Sequence, residues 1–595
     1  MVLSDSAVAI GVWNDYSRNG VLANTLTLKN RDAVALLAFL ATLVGIVGVR
    51  SWRITRFILF TVFAPKPPPQ ADLGDRGAKV KVLPHHVILR NSETATGAAF
   101  GLLNSSFLKG NVAACKDKYR VGSAMLSVLA LGHGLTFIAL SILTSQIVLG
   151  RTVVSRPTST CGIWSVPPKI DEMGIGQHEL DLNATLDADN YVQNCYFSSE
   201  KSGIFDCQRL ASQSIPFSVS EESGCPLANN LCRTETSFVM DTGNISVSQL
   251  GINAKLGDQL YFRRRSTCAP IREEPFYVQT LASGDFPSLQ NGENMLVYRF
   301  GVGPDEPRTA PLRVREELYR GQHGPSLVFL SGGGITFTNT SDDPVWSVHT
   351  KIRYPNGTWL GVNYDELPLR YSMDRDLNVI GCDERFQICL KSTNKCSPWS
   401  GLLANYEPEE LDERARDDPI LSLNIQMALD AFIHLVSKTS IPNSIGNRAG
   451  SSSLRASRNM RGGEQFHLDP EQWKTELTYW FALAMARLQL DVYKTIEKPE
   501  GLDTDRAVNR WAGSVYMDTV CGRIKFDSPN HTSLSFAGVM VILVVSASLI
   551  FLSFFELLVG LLPEDWRGIW ALQWESSDNL VLLKERNSLV NESAG

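Results

Sequence analysis

Hydrophobic and polar positions along the chain separate into three long uncharged stretches and many short periodic segments. Ala33 to Val49, Val121 to Gly150 and Ser533 to Phe555 contain no Asp, Glu, Lys or Arg. The first, about 17 residues, is near the lower limit for crossing a bilayer, and the other two exceed it. RITRFILFTVFAP, Arg53 to Pro65, mixes arginines with apolar residues and reads either as an interfacial segment or as an extension of the first span. PKPPPQ, Pro65 to Gln70, then forms a stiff linker.

The long segment between the second and third spans is periodic in a different way. WSVHTKIRY, Trp346 to Tyr354, alternates in the manner of a strand, and Asn356-Gly357 followed by Trp359 to Val362 predicts a hairpin. SLVFLSGGGITFTNT, Ser326 to Thr340, predicts a second hairpin turning through Gly332 to Gly334. That glycine run is no phosphate loop, because a strand follows it and no GK[ST] is present. The last third turns helical. Asp469, Pro470 and Gln472 mark a capped helix start, Leu468 can staple to Trp473, and Leu477, Trp480, Ala484 and Leu488 recur at helical spacing. Ile425, Leu429, Phe432 and Val436 mark another helix. Ser440 to Gly463, rich in Ser, Gly and Arg, reads as a mobile solvated loop and not as a nucleic-acid arm.

Charge gives an orientation. Arg50 to Arg120 holds 12 Lys and Arg against 4 acids, and basic residues beside a span stay in the cytosol. The expected boundaries are therefore a short extracytoplasmic N-terminus (1–32), a first transmembrane helix (33–49) and a basic cytosolic loop (50–120) drawn to the inner leaflet. A second transmembrane helix (121–150), an extracytoplasmic domain (151–532), a third transmembrane helix (533–562) and a cytosolic tail (563–595) follow. The first span begins after polar residues and lacks a small-residue cleavage pattern, so it reads as an anchor and not a signal peptide.

Asn183, Asn244, Asn339, Asn356 and Asn530 stand in glycosylation triplets on the extracytoplasmic side, while Asn104 and Asn591 match the pattern in the cytosol. Ten of the 11 cysteines fall in the same domain: Cys161, Cys195, Cys207, Cys225, Cys232, Cys268, Cys382, Cys389, Cys396 and Cys521. An oxidising compartment and the lack of CxxC or paired Cys/His spacing predict disulfides and no metal site. Short loops make Cys225 with Cys232, and Cys382 with Cys389, the first pairings to expect. Cys115 is expected as a free cytosolic thiol.

Motifs for catalysis are sparse. No GxSxG, HExxH, P-loop or EF-hand loop occurs. The acidic run Tyr406 to Asp418 offers carboxylates but reads as a solvated lead into a helix. His133, inside the second span, is a candidate intramembrane functional residue or a hydrogen-bonded tie to a neighbouring helix. Glu556 reads as a snorkelling residue at the edge of the third span.

Several segments carry a resemblance: CGIW at Cys161, NYVQNCYF at Asn190, GCPLANNLC at Gly224, DTGNISVSQLGIN at Asp241, FRRRSTCAP at Phe262, SDDPVWS at Ser341, GCDERFQIC at Gly381, PEQWKTEL at Pro470 and CGRIKFDSP at Cys521. With these the chain resembles an uncharacterised family of integral-membrane proteins found in filamentous fungi. The resemblance implies a surface or secretory-pathway location and transfers no catalytic residues. The expected fold is a membrane protein with about three transmembrane helices and a large α+β, β-rich disulfide-bonded extracytoplasmic domain. The expected function is binding, sensing or adhesion through that domain, with the bilayer and an external ligand or protein as partners, no nucleic acid and no cofactor. The alternative is a membrane-tethered hydrolase acting on wall polymers or secreted substrates.

Overall fold

The computed structural model describes residues 7–18, 20–63, 84–107, 116–158, 161–166, 175–197, 207–227, 231–253, 260–272, 295–299, 325–331, 335–352, 358–359, 362–363, 368–375, 377–390, 395–401, 435–436, 438–446, 453–496, 508–509, 520–555, 574, 577–579 and 581–583. Its helices, in chain order, include α1 (Asn30–Phe63), α2 (Pro84–Asn91), α3 (Ala95–Phe107), α4 (Lys116–Leu143), α5 (Ile175–Tyr191), α6 (Ile441–Gly446), α7 (Gln472–Lys494) and α8 (Phe536–Leu552). The chain divides into two compact units. A helical unit comprises Ile10–Asn14, Gly20–Arg151 and Asn530–Gly595, and a large unit comprises Met1–Ala9, Asp15–Asn19 and Thr152–Pro529.

In the helical unit a four-stranded antiparallel sheet has the order Gly11–Asn14, Asn24–Lys29, His531–Ser535, Val148–Gly150. Asn24–Lys29 alternates, so Thr25 and Thr27 point one way and Leu26 and Leu28 the other. Thr27 Oγ1 sits 2.8 Å from both Trp13 Nε1 and Ser533 Oγ, a chain of hydroxyls that satisfies the polar face. The apolar face packs Leu26, Leu28 and Leu534 against Leu40 and Val539. Each apolar helix is joined to this sheet. Asn24–Lys29 runs directly into α1, His531–Ser535 runs directly into α8, and α4 reaches Val148–Gly150 through the single 3₁₀ turn Thr144–Ile147. The start of α1, the end of α4 and the start of α8 therefore share one sheet. Ser535 caps α8 by accepting the Gly538 N–H.

Among the described residues two helices are long and apolar enough to cross a membrane, Asn30–Phe63 and Val121–Ile147 with its 3₁₀ end. Only 22% of the most apolar window of the first and 17% of that of the second is buried, which leaves Val34, Phe39, Val121, Val128 and Ile142 exposed. Phe536–Leu552 is apolar and shorter, with Val541 and Val544 exposed. Close contact between α1 and α4 depends on Gly48, where a Cβ would lie 2.8 Å from Phe137 Cβ. Ser141 Oγ also donates to the Ala41 carbonyl.

In the large unit an antiparallel sheet runs in the order Met295–Arg299, Pro325–Ser331, Leu377–Leu390, Leu260–Ile271, Thr236–Asp241, Ser218–Ser223. Its central pair extends from Val379 opposite Ile271 to Leu390 opposite Leu260. The core of the unit is α7, whose residues from Tyr479 to Leu490 are buried. Asp343 holds its start from outside the helix: its carboxylate accepts N–H bonds from Trp473, Val345 and Trp346. The helix starts later than expected, at Gln472 after Glu471, whose side chain makes no cap bond; Gln472 Oε1 accepts the Asp469 N–H, one of the two bonds of a capping box, Asp469 Oδ1 accepts the Glu471 N–H, and Leu468 packs on the core. Arg264, fully buried, donates to Glu384 and to the Thr439 carbonyl, while Glu384 accepts the Ile441 N–H of α6. Ionic contact thus ties sheet to helix in the interior, where leaving either partner alone would be costly.

Several expectations need correction. Residues 53–63 continue α1 without a break, so this stretch extends the helix. The predicted second and third spans each lose an end to the sheet, because 148–150 and 533–535 spend their backbone groups on strand pairing. Residues 84–107 contain α2 and α3, which pack Leu89, Ala98 and Leu102 on Trp52 of α1 and Leu126 of α4. Within the N-terminal segment, Gly11–Asn14 and Asn24–Lys29 form strands.

Among the described residues neither predicted hairpin shows its expected pairing. Ser347–Val348 pairs with Ser341–Asp342, Thr350–Lys351 with Tyr371–Ser372, and Trp359 with Val362. Asp374 explains the break, because its carboxylate takes the His349 and Thr350 N–H groups that a continuous strand would use. Pro325–Ser331 and Thr336–Phe337 lie in different sheets. Parts of the predicted loop Ser440–Gly463 are packed: Ile441, Ile445 and Leu454 are in the core, and Trp480 Nε1 donates to the Ser453 carbonyl. Helix α5 was missed, although Ala184, Ala188 and Val192 recur every four residues and are buried. Residues 65–70, 356–357, 406–418, 425–432, Cys115, Glu556 and Asn591 lie outside the described residues.

Candidate functional site

The ten cysteines of the large unit form five disulfides: Cys161–Cys521, Cys195–Cys207, Cys225–Cys232, Cys268–Cys382 and Cys389–Cys396. The expected bridge between Cys382 and Cys389 is replaced by two others. Both residues lie on one strand, where seven residues span about 23 Å and an odd offset puts the side chains on opposite faces. Each instead bonds the cysteine directly opposite on a neighbouring strand, Cys268 or Cys396. Among the described residues no group of three or more His, Cys, Asp or Glu side chains is arranged to hold a metal.

Of the glycosylation triplets, Asn244, Asn339 and Asn530 are exposed in loops, and Asn183 is exposed on α5. Asn104 is exposed on α3. The hydroxyl of Thr185, which completes the Asn183 triplet, is buried between the Asp181 carbonyl and Arg487.

Two buried carboxylates of the large unit, Asp343 and Glu476, hold backbone N–H groups. Burial pushes Asp343 above the usual carboxylate range, against three N–H bonds that pull it down. Glu476 is likewise raised by burial and accepts the Arg455 and Ala456 N–H groups. A Ser-His-Asp set does occur on the surface, as Ser347, His349 and Asp374. It is no nucleophilic triad, because Ser347 Oγ donates to Asp374 and not to His349. His349 lies 2.8 Å from Asp374 Oδ2 and 3.0 Å from Asp342 Oδ1. The hydrogen bond with Asp374, and then that with Asp342, raise the imidazole above its ordinary value. Asp374 is lowered, since the bonds from Ser347, His349 and Thr350 outweigh its partial burial.

His133 of α4 is placed against α1. Its Nε2 is 3.2 Å from Ser51 Oγ, which is also 3.2 Å from the Gly48 carbonyl, and its ring packs on Trp52 and Phe137. If Ser51 donates its one proton to Gly48, the imidazole donates to Ser51, an assignment that follows from the bonding pattern. His133 is thus an interhelical tie of the kind that joins apolar helices.

Sequence reasoning passed over a cluster on α7. Tyr479, buried, bonds through its hydroxyl to Asp189 of α5. Arg455 lies 4.8 Å and Arg458 5.8 Å from the centre of its ring, and Phe197 stacks beside it at 6.2 Å. The only signal in the sequence was the arginine content of residues 440–463.

No protein-family model matches the chain, and comparisons with curated proteins and with solved structures returned no match.

Proposed function

We propose that the chain is a three-span membrane protein whose disulfide-bonded unit stands on the extracytoplasmic side of the plasma membrane or of a secretory-pathway membrane and acts as a binding or sensing module. The attachment of three apolar helices to one sheet carries this reading. With their sheet-side ends together, α1 and α8 run away from the sheet and α4 runs toward it, the pattern of three successive crossings. At 17 residues α8 is about 26 Å long, close to the hydrocarbon thickness. Five disulfides in the large unit favour the oxidising side, and the basic loop after α1 favours the cytosol for the far ends. Glycan mapping of the protein purified from its own membrane tests the orientation. Glycans are expected at Asn244 and Asn339, with Asn104 bare. Glycan on Asn104, or none on the large unit with Cys268 and Cys382 reactive to alkylation, refutes it.

A further inference from the structure

We propose that Arg455 and Arg458 form a binding site for an oxyanion, a phosphate or sulfate group, on the ligand of the large unit. This rests on reading that unit as a binding module, and it names the chemistry bound. The site is built by the backbone. Glu476 of α7 accepts the N–H groups of Arg455 and Ala456 at 2.7 Å each, which fixes the entry to the 3₁₀ turn Ala456–Asn459. The Arg458 N–H donates to the Arg455 carbonyl. With three residues per turn, side chains at i and i+3 of a 3₁₀ turn eclipse, so both arginines emerge on one side. There they meet the Tyr479 ring, which Asp189 holds by its hydroxyl.

These two guanidinium groups differ from the other arginines of the sheet and of α7. Arg263, Arg264, Arg265, Arg370 and Arg487 each have a carboxylate within ion-pair distance. Among the described residues neither the Arg455 nor the Arg458 side chain has a carboxylate within ion-pair distance; both lie over the tyrosine ring, and the Arg455 charge acts on Glu476 only at longer range. Glu476 feels the Arg455 charge but gives the guanidinium no hydrogen bond, because its oxygens hold two backbone N–H groups and Gln472 Nε2. Stacking on a ring orients a guanidinium but leaves its in-plane N–H donors unused. Two like charges over one ring repel each other, and a tetrahedral oxyanion offers the acceptors and the charge that match a pair of guanidinium forks. Phe197, 51% exposed, gives the neighbouring surface an apolar face against which a sugar or similar ring can lie.

Calorimetric titration of the full-length protein in a maltoside detergent, with inorganic phosphate, glucose 6-phosphate and glucose, tests the assignment. Glucose 6-phosphate is expected to bind and glucose not. Arg455→Gln with Arg458→Gln is expected to weaken binding at least tenfold while moving the melting temperature by no more than about 2 °C, since no hydrogen bond of the fold is lost. Arg458→Gln alone, at an exposed position, should weaken binding and guards against misfolding of the double variant. Equal affinity for phosphate and glucose 6-phosphate identifies a free ion as the occupant, and tighter binding of the ester that Phe197→Ala abolishes identifies an esterified ligand. No binding of either at 10 mM, or affinity unchanged in the double variant, overturns the proposal. Glycan mapping is indifferent to these results, so the two readings fail separately.

Discussion

The bridge Cys161–Cys521 closes a separation of 360 residues, whereas Cys389–Cys396 closes 7. If a disulfide stabilises by restricting the unfolded chain, its effect grows with the logarithm of the loop it closes. The nested bridge Cys268–Cys382, of separation 114, shortens the larger loop without altering the conclusion. The estimate is about 5 kcal/mol for Cys161–Cys521 and about 2 kcal/mol for Cys389–Cys396. A difference of about 3 kcal/mol is roughly two decades in the unfolding equilibrium. Cys161→Ala with Cys521→Ala should therefore lower the denaturation midpoint of the large unit far more than Cys389→Ala with Cys396→Ala. Fluorescence of the intact protein in increasing urea reports this, since Trp473 and Trp480 are buried in α7. Equal losses, or a larger loss for the short bridge, would show that the bridges act through native packing and that chain entropy is the wrong account.

Two further outcomes follow from the polar contacts. The His349 clasp should depend on pH, because the imidazole is raised and Asp374 is lowered. The histidine contribution is complete below its ordinary value of 6.5 and is lost as pH rises through the folded value, while that of Asp374 is present above 3.8 and is lost only in stronger acid. Exchange of the His349 and Thr350 amides should be slowest between those limits, and His349→Gln should remove the alkaline limb; an unchanged profile in that variant would rule the clasp out. Asp343→Ala leaves three buried N–H groups without their acceptor and should cost about 2–4 kcal/mol, read as a urea midpoint. A loss under about 0.5 kcal/mol would mean that water replaces the carboxylate.

Legibility in the sequence followed the range of the interaction. The start of α7 was readable because Leu468, Asp469, Gln472 and Trp473 are neighbours, and the oxidised state of the cysteines was readable because it depends on compartment. The sheet order was not, since Leu260–Ile271 and Leu377–Leu390 pair across more than a hundred residues. Single carboxylates also defeated periodicity. Asp374 draws off the N–H groups of His349 and Thr350, and Asp343 reaches Trp473 from 130 residues away. The arginine cluster was hidden for a related reason, because its positions are set by Glu476 and Tyr479 on a helix that no local pattern connects with a Ser- and Gly-rich segment.

The same long-range pairing governs how the apolar helices are assembled. Asn24–Lys29 and His531–Ser535 lie side by side, with Lys29 opposite His531 and Thr25 opposite Ser535, so the sheet that receives α1 and α8 cannot close until the chain has returned across more than 500 residues. Most of the large unit, Thr152–Pro529, is inserted between Arg151 and Asn530, and an insertion is tolerated when its two ends are close together. Its ends are held so: Thr152–Val154 pairs with Lys525–Asp527, Trp164–Ser165 pairs with Val508–Asn509, and Cys161 bonds Cys521 beside them. The bridge with the largest loop is therefore also the one at the neck of the insertion. Its loss would free the two ends of the large unit from each other, where the short pairings Thr152–Val154 with Lys525–Asp527 and Trp164–Ser165 with Val508–Asn509 would have to hold them.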